Sequence, residues 1–319
     1  PQINNIASVL DSTFSIPKLI TGLVLGVMLW MIIAGGIKRI AKIASKLVPI
    51  MAVIYFGGAL VVVAENYQNI IPSFHSIFSQ VFSGSAAAGG FLGASFAMSL
   101  KLGVARGLYS NEAGQGSSPI AHASAKAEHS VEQGMVSILE PFIDTIVVCS
   151  VTALVILSSG AWTQKYDNTF ERSSMAIFAG SYAESNSKDV EELGKYILDA
   201  RNFTSDTTAV ENFTGNLDLI DGQMQKQNVT VFHNNSIAED VVFYQGGEPV
   251  SGLLEISNGK IADSSVRVEG KSLIHSAELT SKAFGSGVLG IYGEYIVAIG
   301  LLLFAFSTAI AWSYYGDRS

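Results

Sequence analysis

Ser307 and Thr308 place two adjacent hydroxyls inside the otherwise apolar run from Tyr295 to Gly316. Hydroxyl and carbonyl oxygens are the ligands a hard cation takes. Each hydroxyl can equally satisfy itself on a carbonyl one turn earlier, and spacing alone does not choose between the two. Trp312 follows Thr308 by four residues and falls on the same helical face, where its indole can close a small pocket or, with Tyr314 and Tyr315, anchor the helix at a membrane interface. Asp144 is the one acid deep in a further apolar run. A carboxylate there must pair, bind a cation or carry a proton, unless the run starts at Pro141 and leaves Asp144 in a first turn that favours negative charge. Thr145 adds another hydroxyl beside it.

A second kind of chemistry belongs to the backbone. Ala86 to Phe96 is dense in small residues. Gly89, Gly90 and Gly93 would let a helix unwind there and free amides and carbonyls for the two charged ends of a zwitterion, with Phe91, Ala94 and Ser95 bordering a small pocket. Ordinary small-residue helix packing is the competing reading. The run Ser110 to Gly116 follows Arg106 and is too polar for a lipid-facing helix, so a structured loop or re-entrant turn is expected. Arg106, Asn111 and Glu112, with Gly114 and Gly116, can form an inner gate or a rigid scaffold. The run lacks Gly-Lys-Ser/Thr and a preceding soluble strand, which argues against nucleotide binding. His122 and His129 have no carboxylate or cysteine at ligand spacing and read as solvated loop histidines.

These residues need membrane elements to position them. Five stretches, Leu19 to Ile37, Leu47 to Ala64, Val81 to Leu100, Thr145 to Gln164 and Tyr295 to Gly316, run 18 to 22 residues without a charge. Each is long enough to cross a hydrocarbon core of about 30 Å. With mean hydropathy +0.37 and 14% charged residues, the chain reads as a multi-pass protein of the lipid bilayer. Pro1 at the start and a last span ending only at Asp317 read as an internal piece of a longer chain. Lys38 to Lys46 carries four positive charges and is expected as a cytoplasmic loop joining the first two spans. Alternation then puts the signature run inside and residues 161–282 outside. Those 122 residues hold ten basic and eighteen acidic side chains, which is the whole net charge of −8. No basic stripe is left to track phosphates, so no nucleic-acid partner is expected. Turn signals at Gly246-Gly247, Asn258-Gly259 and Glu269-Gly270, with alternating short runs, predict a small polar, β-rich extracytoplasmic insert. The single Cys149 allows no disulfide framework.

The run Arg106-Gly-Leu-Tyr-Ser-Asn-Glu-Ala-Gly-Gln-Gly-Ser-Ser-Pro-Ile-Ala-His122 closely resembles the signature of the alanine or glycine:cation symporter family. Three further blocks match in order: Gly35-Gly36-Ile-Lys-Arg-Ile-Ala-Lys42 with Val48-Pro49, Phe142-Ile-Asp-Thr-Ile-Val-Val-Cys149, and Phe304 to Gly316. The resemblance implies an all-α membrane protein, a partial leucine-transporter-type inverted-repeat bundle with residues 1–160 and 283–319 as transporter core. It implies uptake of a small zwitterionic amino acid, alanine or glycine, coupled to sodium or proton entry across a bacterial inner membrane, with no enzyme activity and no cofactor. By that analogy Ser307 and Thr308 are candidate sodium ligands, Asp144 and Thr145 further cation ligands, and Gly89 to Ser95 with Trp312 the substrate pocket. An uncoupled ion or solute channel is the alternative. Oligomeric state, stereochemistry and the role of the insert are not readable from the residues.

Overall fold

The apolar runs fold as long helices, the first two separated at Gly35-Gly36. The computed structural model describes residues 6–7, 10–11, 14–83, 87–88, 91–92, 96–123, 125–200, 209–225 and 228–318. Contacts divide the chain into two compact units, one formed by residues 1–74, 103–161 and 276–319, the other by 75–102 and 162–275.

In the first unit, helix Lys18–Ile33 ends at a turn where Gly36 adopts φ +67°, a left-handed conformation open to glycine. Helix Gly36–Glu65 follows without interruption for 30 residues. The expected loop from Lys38 to Lys46 is therefore helical: no glycine or proline lies between Gly36 and Pro49, and lysine, arginine and alanine are good helix formers. Asn66 ends this helix by donating from Nδ2 to the Val62 carbonyl at 2.9 Å. Ser130 to Ser159 is a composite helix whose middle, Phe142–Val148, widens into a π turn carrying Asp144 and Thr145. Helices Ser276–Gly285 and Ile291–Arg318 complete the unit. Tyr55, Ala59 and Val62 bury against Val155, Ala161, Ala283, Phe284 and Val297, and Tyr55 Oη meets Thr152 Oγ1 at 2.6 Å. A second cluster joins Leu25, Ile32 and Ile40 to Ala305, Phe306 and Ile310.

Among the described residues three helices are long and apolar enough to cross a membrane: Arg39–Glu65, Ser130–Ser159 and Ile291–Gly316. Lys18–Ile33 is apolar but shorter. Leu19, Val53, Ile71 and Ile138 stand more than 65% exposed, as befits faces turned to hydrocarbon. The expected span from Val81 to Leu100 is not a continuous helix. Helix Ile70–Ser83 stops, strands β1 (Ala87–Ala88) and β2 (Phe91–Leu92) pair antiparallel, and helix Phe96–Tyr109 begins afterwards.

The second unit overturns the all-α class. Its strands are β3 (Lys165–Thr169), β4 (Met175–Ala179), β5 (Glu211–Asn212), β6 (Gly215–Ile220), β7 (Gln223–Met224), β8 (Val229–His233), β9 (Ser236–Ile237), β10 (Glu239–Gln245), β11 (Glu248–Pro249), β12 (Gly252–Ser257), β13 (Lys260–Ile261) and β14 (Val266–Leu273). They form three four-stranded antiparallel sheets, ordered β11-β10-β14-β3, β13-β12-β6-β7 and β5-β4-β8-β9. The chain is thus a mixed α and β protein with a substantial β region, not an all-α inverted-repeat bundle with a minor appendage. Apolar runs dominate a hydropathy reading, whereas strands this short carry their signal in alternation and turns.

Four hairpins build these sheets, each a longer strand, a two-residue turn and a two-residue return. Asp221-Gly222, Asn234-Asn235, Gly246-Gly247 and Asn258-Gly259 all have positive φ at both turn positions, the primed geometry whose twist suits paired strands. Two turn glycines also tie the sheets together. Gly222 donates to the Val250 carbonyl and accepts from Phe243, while Gly259 donates to Phe213 and accepts from Ile177, all at 2.8 to 2.9 Å. A Cβ on Gly259 would stand 2.9 Å from Asn212 Oδ1 and 3.0 Å from the Ile177 carbonyl, so no side chain fits. Leu217, Leu219, Val231, Phe243, Leu254, Ile256 and Val268 fill the core beneath. Helix Ser187–Ala200 lays Val190, Leu193 and Ile197 against Phe178 and Phe232.

His233, 2% exposed, stacks on Phe170 with ring centroids 4.4 Å apart. Its Nε2 accepts the Glu171 amide at 3.3 Å, so the proton resides on Nδ1, which faces Ser272 Oγ at 2.7 Å. Burial, helped by the neighbouring His275, pushes its pKa down to about 4. The fold therefore holds this ring neutral where an unfolded chain would protonate it. The contribution of this ring to stability is constant above pH ~6.5 and falls by roughly 3 kcal/mol as pH drops toward 4. Thermal unfolding of the insert, followed by proteolysis in the intact protein between pH 7 and 4, should show this decline, and His233→Gln should flatten it. Gly259→Ala should destabilise the same region by about 2–4 kcal/mol through left-handed strain and collision, read by the same assay.

Candidate functional site

The signature run folds as a tight hydrogen-bonded junction in the first unit, with Asn111, Ser117 and Ser118 buried. Asn111 caps the four-residue helix Glu112–Gln115, its Oδ1 accepting the Gly114 amide at 2.7 Å. Gly116 closes that helix at φ +78°. Gly114 packs against the Leu108 carbonyl so closely that any Cβ would overlap it. These two glycines thus serve the loop's conformation. Asn111 itself is 9% exposed and spends its amide protons inside the protein, on the Gly107 carbonyl at 3.0 Å and Thr145 Oγ1 at 2.9 Å.

Thr145 is the hub. Besides Asn111 it meets Ser110 Oγ at 2.9 Å. Four residues before Asp144 and so one turn back, Glu140 accepts the Glu112 amide on Oε1 at 2.9 Å. Glu112 Oε2 accepts the Tyr315 hydroxyl at 2.6 Å across 203 residues of sequence. The second oxygens of both acids, Glu140 Oε2 and Asp144 Oδ2, are buried and meet no hydrogen-bond partner. Two carboxyl oxygens out of water with no donor are the type of group that takes up a proton or a cation.

The structure thus brings Asn111, Glu112, Gly114, Gly116 and Thr145 together, with Asp144 one residue from the hub. Arg106 is not part of this junction: it makes no hydrogen bond or ion pair with a described residue, and Tyr315 supplies the partner expected of it. Ser307 and Thr308 lie on helix Ile291–Arg318, both donating to the Phe304 carbonyl, at 2.8 and 2.9 Å. Back-bonding commits their protons and leaves oxygen lone pairs free for a cation. Among the described residues no hydrogen bond joins this pair to Asp144 or Thr145. Trp312 is 45% exposed, its ring edge-on to Tyr315 at 5.8 Å. Gly89, Gly90, Gly93, Ala94 and Ser95 lie outside the described residues, and Phe91 is placed only as part of strand β2.

Glu140, Tyr315 and Gln133 were not singled out by sequence. Glu140 carried a usable signal, its four-residue spacing from Asp144. Tyr315 read as an interfacial aromatic. His122, expected as a solvated loop residue, pairs through Nδ1 with Gln133 Nε2 and lines a cleft of about 690 Å³ with Ala113, Gly116, Pro119 and Ser137.

A family model described as the sodium:alanine symporter family matches residues 1–187 and 260–319. Among curated relatives, the chain is 45% identical over 159 residues to a sodium/alanine symporter, AgcS, of Methanococcus maripaludis, covering 50% of this chain and 34% of that protein. It is 43% identical over 164 residues to an uncharacterized transporter, YflA, of Bacillus subtilis, covering 51% and 35%. To YrbD of the same organism, named a putative sodium/proton-dependent alanine carrier protein, it is 41% identical over 170 residues, covering 53% and 34%. The matched region spans about a third of the length of these relatives.

If the junction organises the helical unit, Thr145→Val should be costly, since it leaves one buried Asn111 amide proton without its acceptor and removes a partner of Ser110. A loss of roughly 2–3 kcal/mol is expected, against under ~1 kcal/mol for Arg106→Gln. Thermal inactivation of the two variants in detergent measures the contrast.

Proposed function

The chain belongs to the sodium:alanine symporter family, and from that premise we propose that it is part of a secondary transporter that carries a small neutral amino acid, alanine or glycine, into the cell with sodium or a proton. The observation that carries this reading is the family match over residues 1–187 and 260–319, which takes in the apolar helices and the signature junction together with both edges of the β region. The names of the relatives AgcS and YrbD point to alanine as cargo and to sodium or proton as coupling ion. No covalent step is required.

In this proposal the ion acts by differential binding. It occupies oxygen ligands on helix Ile291–Arg318, with Ser307 and Thr308 as candidates, or neutralises the buried oxygens at Glu140 and Asp144. Either event favours the conformation that holds the amino acid, whose charged ends would meet the backbone around Gly89 to Ser95, with Trp312 limiting its size. The host membrane is the bacterial inner membrane, with residues 161–282 on its outer side.

The test is uptake of labelled alanine by proteoliposomes holding the full-length protein, with and without a sodium gradient and with and without a proton gradient. Saturable, gradient-driven uptake is the expected result, whereas flux linear in alanine and indifferent to both gradients would make the protein a channel. Thr308→Val removes one oxygen ligand and should raise the sodium concentration for half-maximal uptake by about tenfold or more. An unchanged sodium dependence takes Thr308 out of the ion site.

A further inference from the structure

The cleft of about 690 Å³ beside the signature run takes its polar side chains from Ser118, His122, Ser130, Gln133 and Ser137, and among the described residues no acid lines it. Ser118 is 8% exposed, and its hydroxyl meets no hydrogen-bond partner among the described residues. Gln133 Nε2 donates to His122 Nδ1, which leaves the ring proton on Nε2 as a further donor. Ser130, Gln133, Gly134 and Ser137 are the positions that one face of a helix presents over its first two turns, so the cleft runs along the start of helix Ser130–Ser159. That start is uncapped. His129 makes no side-chain cap, and the amides of Ser130 and Val131 donate to no described residue. Free amides, a hydroxyl without a partner and an imidazole N–H together call for an oxyanion. The acids nearest in sequence, Glu128 and Glu132, are exposed and stand outside the lining, as does Lys126.

Apolar surface begins beside the cleft. Val131, Met135 and Ile138, spaced four and three residues apart, form a stripe 66 to 71% exposed on the neighbouring face of the same helix. That helix is among those long and apolar enough to cross a membrane. We infer that cleft and stripe together bind an anionic phospholipid, its phosphodiester seated on Ser118 and the helix start and an acyl chain laid along Val131, Met135 and Ile138. A free oxyanion would use the cleft and leave the stripe idle. A headgroup bearing an ammonium finds no carboxylate in the lining to meet it, so phosphatidylglycerol is preferred to phosphatidylcholine. None of Ser307, Thr308, Glu140 or Asp144 lines the cleft, and a lipid can bind there whichever solute the protein carries.

The experiment uses the full-length protein with Cys149 and any other cysteine replaced and with Ser137→Cys in the cleft wall, reconstituted in phosphatidylcholine vesicles with or without phosphatidylglycerol. An uncharged maleimide that crosses bilayers reads occupancy as protection from labelling. Phosphatidylglycerol should slow labelling by about threefold or more, and Ser118→Ala, which costs the fold no hydrogen bond, should remove most of that protection. An anionic surface also lowers the local pH and slows thiolate chemistry, but it does so in both proteins alike, so the contrast between them reports the site. Folding is checked by thermal stability, and Gln133→Ala replaces Ser118→Ala if that variant fails to fold. Labelling that phosphatidylglycerol leaves unchanged, or protection that persists in full in the folded variant, overturns the lipid site. Inorganic phosphate added to phosphatidylcholine vesicles should protect little; protection as strong as the lipid's makes the ligand a free anion and overturns the lipid site as well.

Discussion

A polar group placed among apolar helices must find its partner inside the protein, and the architecture around the signature run follows from that requirement. The loop offers two unpaired helix ends, an asparagine, a serine and a glutamate to surroundings that hold little water. Asn111 resolves most of the problem alone, capping one helix with its oxygen while its nitrogen closes the previous helix and reaches Thr145. Thr145 is available because the π turn widens the helix at that level. The glycines at 114 and 116 are then consequences, since one lies against a carbonyl and the other turns left-handed. Among the described residues of this junction the outer oxygens of Glu140 and Asp144 and the Ser117 hydroxyl escape the closure, and a carboxylate oxygen left in low dielectric is where an ion has most to gain.

The β region solves the same problem by different means. Its strands are too short to satisfy one another fully, and the return strands of the hairpins are two residues long. Backbone groups at the turns take up the remainder, and Gly222 and Gly259 each bond into a neighbouring sheet. His233, Ser272 and Asn168 supply a buried polar chain beneath, with Asn168 Nδ2 3.0 Å from Ser272 Oγ. This region is held by turns and a small apolar core, the helical unit by long apolar faces.

Much of this was legible in the residues. Gly246-Gly247 and Asn258-Gly259 read as hairpin turns because such pairs accept two successive left-handed conformations, and both are turns, whereas Glu269-Gly270, read as a turn signal too, lies inside strand β14. The signature run read as structured loop because its polarity forbids a lipid-facing helix. The failures have physical sources. Lys38 to Lys46 looked like a loop because charge was weighed ahead of helix propensity, and the true turn lies at Gly36. Val81 to Leu100 looked like one span because hydropathy ignores how poorly glycine supports a helix. The extent of β structure was missed because the class was set by the apolar runs. Tyr315 was invisible as a partner of Glu112, since nothing in a sequence reports a bond across 203 residues.

The two places where the β region joins the rest of the chain have a consequence for how such a molecule can change. Within the β region the first and last strands, β3 and β14, run antiparallel side by side, with Lys165 opposite Leu273. Within the helical unit Ala161 is buried beside Ala283 and Phe284. At these two crossings the chain leaves and returns at neighbouring points within each unit, and residues 162–275 can lengthen or shrink at a loop-closure cost that grows only with the logarithm of their number, while residues 75–102 belong to the same unit. Grafting another domain with adjacent termini at this position would be mechanically permitted, much as a tool is changed on an unchanged handle.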